Sequence, residues 1–186
     1  MVEPDDLTRF KAAVLPHLDA AYNLARWLAR DPDAAQDIVQ EATLRALRFF
    51  ASYRGGDARP WYLRIVRNTF LSSRTRDGDA VVIPMSAFER EDGRSGLDDI
   101  AGPDDDPETA LARLEDRSEV DRLIARLPPE FREVIVLREL EELSYKEIAL
   151  IAEIPIGTVM SRLARARGLL AAWAREGPGE EVRHAV

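Results

Sequence analysis

The sequence predicts an all-α fold of two small helical domains joined by a flexible acidic linker. Ala, Leu, Arg, Asp and Glu are the commonest residue types and β-branched runs are few, which favours helix. Apolar residues recur at helical spacing in both halves of the chain. Between the halves, residues 77–110 are rich in Asp, Gly and Pro and show no sustained period, which is typical of a linker.

The N-terminal domain is expected over residues 1–76. Within residues 5–29 the apolar side chains have helical spacing, and Pro16 is expected to divide this stretch into two helices. Asp31 can serve as the N-cap of the next helix, which a proline opens at its first position. A further helix is predicted from near residue 60 to about residue 74, after a connection that ends in two glycines.

The C-terminal domain is expected over residues 111–175 and should contain a helix-turn-helix. Ser144 and Glu147 have the spacing of a capping box, in which each side chain satisfies a backbone N–H at the start of a helix. A tight turn is predicted at residues 152–154, and the last helix is expected to open near Pro155.

The formal net charge of −8 hides a strong sorting of charge along the chain. Residues 77–110 hold 11 acidic and 2 basic residues, whereas residues 58–76 hold five arginines and no acid. Residues 154–175 hold four arginines and again no acid. Two cationic helices separated by an acidic segment favour nucleic acid as a partner, although the pI near 4.9 suggests the opposite. The tail, residues 176–186, is too short to fold and has no assigned function.

Several classes of function are not supported by the composition. The chain has no cysteine, so disulfides and thiolate metal sites are excluded. His17 and His184 lie far apart in sequence, and no nucleophile, base and orienting group occur together, so we expect no metal, no cofactor and no enzyme. No apolar run is long enough to span a bilayer, and the N-terminus lacks the features of a secretory signal, which fits the cytoplasm.

The last predicted helix has one apolar side and one basic side. Its apolar residues follow helical spacing and should face the core: Ile156, Val159, Leu163, Ala166 and Leu170. Its polar side carries Thr158, Ser161, Arg162 and Arg165, with Arg167 at the edge. A tight turn before a helix with an outward basic side is the geometry that enters a major groove, where arginine can bind phosphates or a guanine edge. The alternative is an ordinary solvated helix whose arginines complement its dipole.

The motifs in these helices resemble those of one family. The stretch "LPPEFREVIVLRELEELSYKEIALIAEIPIGTVMSRLARARGLL" is similar to the −35-binding domain of bacterial sigma-70-type factors. The stretches "DAAQDIVQEATLRALRFF" and "ARPWYLRIVRNTF" resemble the N-terminal sigma domain, which binds core RNA polymerase and the −10 element. Nothing of domain size lies between them, which resembles the small extracytoplasmic-function (ECF) group.

The resemblance implies roles for residues of the N-terminal domain. The helix that docks on the β′ coiled coil of polymerase carries Asp37, Gln40 and Glu41. The −10 element, whose bases are flipped from the stack, is expected to contact Arg54, Arg59, Arg64, Arg67, Asn68 and Arg74. We expect Trp61 in the core, with a stacking surface for a base as the alternative. Without the resemblance, the three docking residues would be interpreted as the solvated side of an ordinary helix.

The resemblance also places the −35-reading positions on the last helix. They are Thr158, Met160, Ser161, Arg162, Arg165 and Arg167. Relatives commonly carry a basic residue at the position of Met160 and a larger one at Ala164, so the promoter sequence is not transferable. Glu153 takes a turn position where glycine is commoner, at a modest cost in backbone energy.

The expected function is that of an ECF sigma factor, which directs core RNA polymerase, through its β′ and β subunits, to promoter DNA and helps melt the −10 element. An anti-sigma factor is a further candidate partner, and no membrane insertion is expected. The alternatives are a stand-alone helix-turn-helix regulator and a sigma-mimic that titrates an anti-sigma factor. Two interpretations of the acidic linker are open: a spacer, or a polyanion that threads polymerase channels. A metal-binding role is disfavoured, because a run of Asp residues has no fixed geometry.

Overall fold

A computed structural model describes residues 4–74 and 119–176, and every regular element within these ranges is helical. The predicted acidic linker, residues 77–110, and nearly all of the tail lie outside the described residues. The all-α prediction is confirmed for the part of the chain that the structure describes.

The N-terminal unit consists of four α-helices. Pro16 divides the first apolar stretch as predicted, because a short 3₁₀ turn, Leu15–His17, separates the first two helices. Asp31 caps the third helix, and its side chain accepts a hydrogen bond from the Ala34 N–H at 2.9 Å. The helices are α1 (Pro4–Val14), α2 (Leu18–Ala29), α3 (Pro32–Phe49) and α4 (Ala58–Arg74).

The C-terminal unit also contains four helices in its described part. The second of them continues into a wide π-helical turn, Val136–Leu140, where its hydrogen-bonding pattern changes. The helices are α5 (119–126), α6 (Pro129–Ile135), α7 (Tyr145–Ala152) and α8 (Ile156–Glu176).

The helix-turn-helix is formed by α7 and α8, and its local signals act as predicted. The Ser144 hydroxyl accepts from the Glu147 N–H at 3.3 Å, and the Glu147 carboxylate accepts from the Ser144 N–H at 2.7 Å. The turn places Glu153 in the left-handed region, with φ 54°. That conformation disfavours a residue with a Cβ, so the turn carries a modest strain.

The two units pack against each other and share one continuous hydrophobic core. Helix α4 contacts α7, and α2 contacts α6. Trp61 is 3% exposed and packs near the rings of Phe50 and Tyr53, which supports the core reading of this residue. The sequence suggested two separate cationic helices; the packing instead places α4 against the C-terminal unit and leaves α8 on the outside.

Candidate nucleic-acid interface

The apolar side of α8 faces the core over its middle turns. Val159, Leu163 and Ala166 are almost fully buried, as the helical spacing predicts. Ile156 differs from the prediction, because it is 38% exposed at the first turn of the helix, where the core does not reach. The register of α8 is therefore fixed, and its opposite side faces outward.

The outward side of α8 carries the residues that the sequence placed at the −35 element. Met160, Ser161 and Arg165 are exposed, and Thr158 and Arg162 are half-buried. Arg167 is exposed but pairs with Glu139, whose Oε1 accepts from its Nη2 at 2.6 Å. That hydrogen bond and a second one with Tyr145 raise the pKa of Arg167. Arg165 is therefore the main exposed, positively charged side chain on this surface.

Helix α4 differs from α8, because acidic residues of the C-terminal unit cover three of its arginines. Arg64 is 7% exposed and its Nε and Nη2 donate to Glu153 Oε1 at 2.9 and 2.5 Å. Arg67 pairs with Glu133, and both side chains are nearly buried. Asn68 is also 7% exposed. The side of α4 that was expected to face outward lies instead at the interface between the two units.

A third ion pair closes the same interface near the start of α4. Arg59 Nη2 donates to Glu141 Oε2 at 2.6 Å, and Asn23 Nδ2 donates to the other oxygen of this carboxylate at 2.6 Å. Glu141 is 5% exposed, and these two donors provide each of its carboxylate oxygens with a hydrogen bond. Burial raises the pKa of Glu133, and the positive charges of Arg67 and Arg162 oppose that effect. Buried ion pairs roughly break even against their desolvation, so they specify the arrangement more than they strengthen it.

Two predicted −10 residues remain accessible beside the covered ones. Arg54 is exposed in the loop before α4, and Arg74 is exposed with its guanidinium 5.7 Å from the centre of the Phe70 ring. Tyr53 shapes the loop, since its hydroxyl donates to the Gly56 carbonyl at 2.6 Å. Both glycines of the loop have positive φ, which a residue with a side chain would adopt only with strain.

The predicted polymerase-docking residues line one groove between α3 and α4. Asp37 and Gln40 are exposed, and Glu41 is half-buried and accepts from Arg45 Nε at 2.7 Å. The groove has a volume of about 700 Å³ and also contains Leu44, which is 47% exposed. Two carboxylates beside an exposed apolar residue form a surface suited to a partner with basic and apolar groups.

The acidic residues that cover α4 were not singled out by sequence reasoning. Glu133, Glu141 and Glu153 look like ordinary charged positions in short helices and turns. Their partners lie 66, 82 and 89 residues away, respectively. The one signal in the sequence was Glu153 itself, an acid at a turn position that favours glycine, which indicates a role beyond the turn.

Metal and membrane sites gain no support from the described residues. Among them, no group of three or more His, Asp or Glu side chains could hold a metal ion. His17 is half-buried, and burial lowers its pKa; His184 lies outside the described residues. None of the described helices has the length and apolar character that a bilayer span requires.

Comparison with known families matches both helical units. The family described as "Sigma-70 region 2" matches residues 13–79, and "Sigma-70, region 4" matches residues 117–170. The RNA polymerase sigma-H factor of Pseudomonas aeruginosa is 36% identical over 173 residues, which cover 89% of this chain and 86% of that protein. The ECF RNA polymerase sigma-E factor of Escherichia coli K12 is 41% identical over 135 residues, which cover 70% of this chain and 69% of that protein.

Solved structures show the same arrangement of helices. The sigma factor RpoE in complex with the anti-sigma factor NepR from Bartonella quintana has a TM-score of 0.62 at 25% identity, over 91% of this chain and 99% of that one. CnrH in complex with the cytosolic domain of CnrY has a TM-score of 0.59 at 24% identity, over 91% of this chain and 89% of that one, which supports the fold alone. The chain therefore belongs to the ECF group of the sigma-70 family, the RNA polymerase sigma factors that direct transcription initiation at promoters.

Proposed function

We propose that residues 1–76 of this sigma factor bind core polymerase and the −10 element, and that residues 111–175 bind the −35 element. The outward basic side of α8, which follows a capped helix and a tight turn, supports this division most directly. Core polymerase supplies the catalysis, and the chain positions it and is not itself an enzyme. The proposed location is the cytoplasm, where bacterial polymerase and promoter DNA meet.

The −35 contact is proposed to use the first half of α8. Arg165 is exposed and can take two acceptors from a guanine edge or bridge phosphates. Thr158, Met160, Ser161 and Arg162 are proposed to line the same groove, with Arg167 reaching the backbone once it leaves Glu139. In the major groove, a helix contributes base contacts mainly from its N-terminal residues, which is where this set lies.

The −10 contact is proposed to require separation of the two units. Arg59, Arg64 and Arg67 pair with acids of the C-terminal unit and Asn68 is buried, so a DNA strand has little access to these side chains in the packed arrangement. Phosphates would replace Glu141, Glu153 and Glu133 as partners of the arginines, which offsets the loss of the internal ion pairs. Arg54 and Arg74 are already accessible and are proposed to make the first −10 contacts.

Polymerase docking is proposed to use the groove between α3 and α4. Asp37, Gln40 and Glu41 line it together, with Leu44 as an exposed apolar contact. Such a surface fits a basic coiled coil, the element that the family resemblance assigns to the β′ subunit. Contacts to the β subunit are proposed for the C-terminal unit, without assigned residues.

An anti-sigma factor is proposed as a regulatory partner. Support comes from the similar solved structure of the sigma factor RpoE, which is a complex with the anti-sigma factor NepR. For residues 77–110, both interpretations, a spacer and a polyanion in a polymerase channel, remain proposals.

The function is tested by transcription from fragmented genomic DNA of the source organism with purified core polymerase. We expect start sites, mapped by sequencing the transcripts, that share upstream elements and depend on this chain. The variant Arg165→Ala should lose most of these start sites, whereas Arg175→Ala, which removes an arginine from the far end of the same helix, should keep them. Tight duplex binding without polymerase, combined with no new start sites, would instead identify a stand-alone regulator.

A further inference from the structure

Five arginine side chains line one cleft between the two helical units, and no acidic side chain among the described residues lines it. The cleft has a volume of about 1020 Å³ and lies where the ends of α2 and α4 meet α5 and the start of α6. Its arginines are Arg30, Arg74, Arg122, Arg126 and Arg132. A concave surface with one sign of charge focuses the electric field and attracts groups of the opposite sign.

The deepest of these arginines is balanced by carbonyl groups rather than by a carboxylate. Arg132 is 5% exposed, and its guanidinium donates to the carbonyl oxygens of Leu127 at 2.7 Å and Ala125 at 2.9 Å. Two longer hydrogen bonds reach the carbonyls of Ile124 and Trp27. The pKa of Arg132 is lowered, first by burial and then by the charge of Arg30. The positive charge at the floor of the cleft is therefore solvated by dipoles and not neutralised.

Helix ends account for only part of this accumulation of charge. Three helices, α2, α4 and α5, end at the cleft, and a helix C-terminus carries about half a negative charge. The three ends together supply about one and a half negative charges, against four arginines besides Arg122, which has contacts of its own. About two and a half positive charges remain, which is more than the helix dipoles require.

Aromatic rings hold two of the exposed arginines at the rim. The guanidinium of Arg126 lies 4.5 Å from the centre of the Trp173 ring, and that of Arg74 lies 5.7 Å from the Phe70 ring. A guanidinium beside an aromatic ring keeps its charge and its N–H donors, and a carboxylate can accept two of them. The rim therefore offers exposed cationic donors to carboxylate-like anions.

We propose that this cleft binds acidic side chains of residues 77–110 of the same chain. That segment contains 11 acidic and 2 basic residues, so its charge complements the cleft. The described chain leaves at Arg74 and returns in α5, and both line the cleft. A ligand tethered at both ends has an effective concentration of about a millimolar, so individually weak ion pairs are sufficient. Phosphate ions and nucleic acid share the charge but lack the tether.

Binding of this segment has a consequence for the proposed −10 contact. The walls of the cleft come from both units, so a bound segment connects them and helps to keep the arginines of α4 covered. This consequence rests on the proposed function, whereas the binding itself does not. Salt should weaken the binding, because ion pairs at an open rim are screened.

The binding is tested by cleavage of the full chain with a glutamate-specific protease, which can cut the segment at Glu89, Glu91 and Glu108. The cleft variant is Arg30→Gln with Arg126→Gln, and the control is Arg48→Gln with Arg175→Gln, which removes the same charge elsewhere. At low salt we expect the segment to be cleaved about fivefold faster in the cleft variant than in the wild type or the control, as loss of two exposed ion pairs implies. In 1 M salt the three rates should converge. Equal rates at low salt would overturn the proposal.

A second measurement does not depend on protease access or on the folding of one variant. Replacing the acids of residues 77–110 by their amides leaves the cleft without its tethered ligand. A fluorescent peptide of residues 96–110 should then bind this full chain, and binding should weaken about fivefold when Arg30→Gln and Arg126→Gln are added. If the peptide fails to bind while inorganic phosphate or a short DNA duplex protects the arginines from modification, the occupant is a different anion and the proposal is wrong. Neither measurement involves polymerase, so failure here is distinct from failure of the proposed function.

Discussion

Helices α4 and α8 carry the same sequence signature and lie in opposite environments. Both are rich in arginine, with no acid in α4 and none in α8 before its last residue, Glu176, and both have one apolar side. The arginines of α4 pair with acids of the C-terminal unit, whereas Arg165 of α8 faces outward. A basic helix is therefore not always accessible to a partner, because tertiary packing can place carboxylates from a distant part of the chain against its arginines.

The comparison also implies an order of events at a promoter. In the packed arrangement the proposed −35 surface is accessible, whereas the proposed −10 surface is covered except at Arg54 and Arg74. The ion pairs at this interface gain little net free energy, but the apolar side chains of the shared core resist separation of the units. On the proposed function, contacts with core polymerase must therefore supply the free energy that separates the units before α4 can bind DNA.

The largest effect is expected from removing the most buried acid of the interface. Glu141→Ala leaves Arg59 and Asn23 without their partner, and we expect the free energy of unfolding to fall by about 2 kcal/mol. Because Arg59 is then available, binding of the chain to single-stranded −10 DNA should become tighter. Chemical denaturation and fluorescence anisotropy measure the two effects. Glu139→Ala, which removes an exposed acid paired with Arg167, serves as the control and should change neither by more than about 0.5 kcal/mol.

The next effect concerns the exposed helix. Arg165→Ala should weaken binding of −35 duplex DNA by about 1.5 kcal/mol, roughly tenfold, because one bidentate or phosphate contact is lost. Met160→Ala, which removes no positive charge from the same side of α8, should weaken binding of −35 duplex DNA much less. Unchanged duplex affinity in Arg165→Ala would show that the outward side of α8 does not face the groove.

A smaller effect is expected at the docking groove. Asp37→Ala should weaken binding of core polymerase by about 1 kcal/mol and leave duplex affinity intact, because the carboxylate lies on α3, away from α8. Asp33→Ala removes an exposed carboxylate from the first turn of the same helix, outside this groove, and provides the comparison. If both variants bind polymerase equally well, the docking assignment is wrong.

Two substitutions of the turn residue Glu153 distinguish the effect of backbone strain on stability from the effect of losing the charge. Its φ of 54° suits glycine, so Glu153→Gly should be more stable than Glu153→Gln by about 0.5–1 kcal/mol. Both variants release Arg64 and should bind −10 DNA similarly. Thermal unfolding ranks their stabilities, and equal stability would mean that the turn stores no strain.

The smallest effect is a dependence on pH at Glu133. Burial raises the pKa of this carboxyl above its ordinary 4.5, so the folded state binds a proton more readily than the unfolded state. The contribution of Glu133 to stability is therefore largest below about pH 4.5 and declines as pH rises toward the raised pKa. Denaturation of the wild type and of Glu133→Gln at several pH values should show their difference changing in this direction.

Local features of the fold were predictable from the sequence, and the interface was not. Pro16, the N-cap at Asp31 and the capping box at Ser144 act on backbone groups within a few residues, so their effects follow from spacing alone. The apolar side of α8 followed from periodicity, except at Ile156, where the core ends.

The covering of α4 depends on pairs that are far apart in the chain. Arg64 meets Glu153 across 89 residues, and nothing in the sequence around Arg64 distinguishes it from a surface charge. Charge sorting identified α4 as cationic but gave no information about which acids lie opposite. The same limit applies to the arginine cleft, whose members come from α2, α4, α5 and α6.

The arginines of α4 are covered in the packed chain, and we propose that assembly with polymerase and promoter uncovers them. Because the chain has no cysteine, Arg48→Cys and Arg175→Cys provide two unique sites for spin labels, one on each unit. The distance between the labels, measured by pulsed electron paramagnetic resonance, should be short and narrowly distributed for the free chain and clearly longer in the initiating complex. An equally long distance in the free chain, or no change on assembly, would contradict the account.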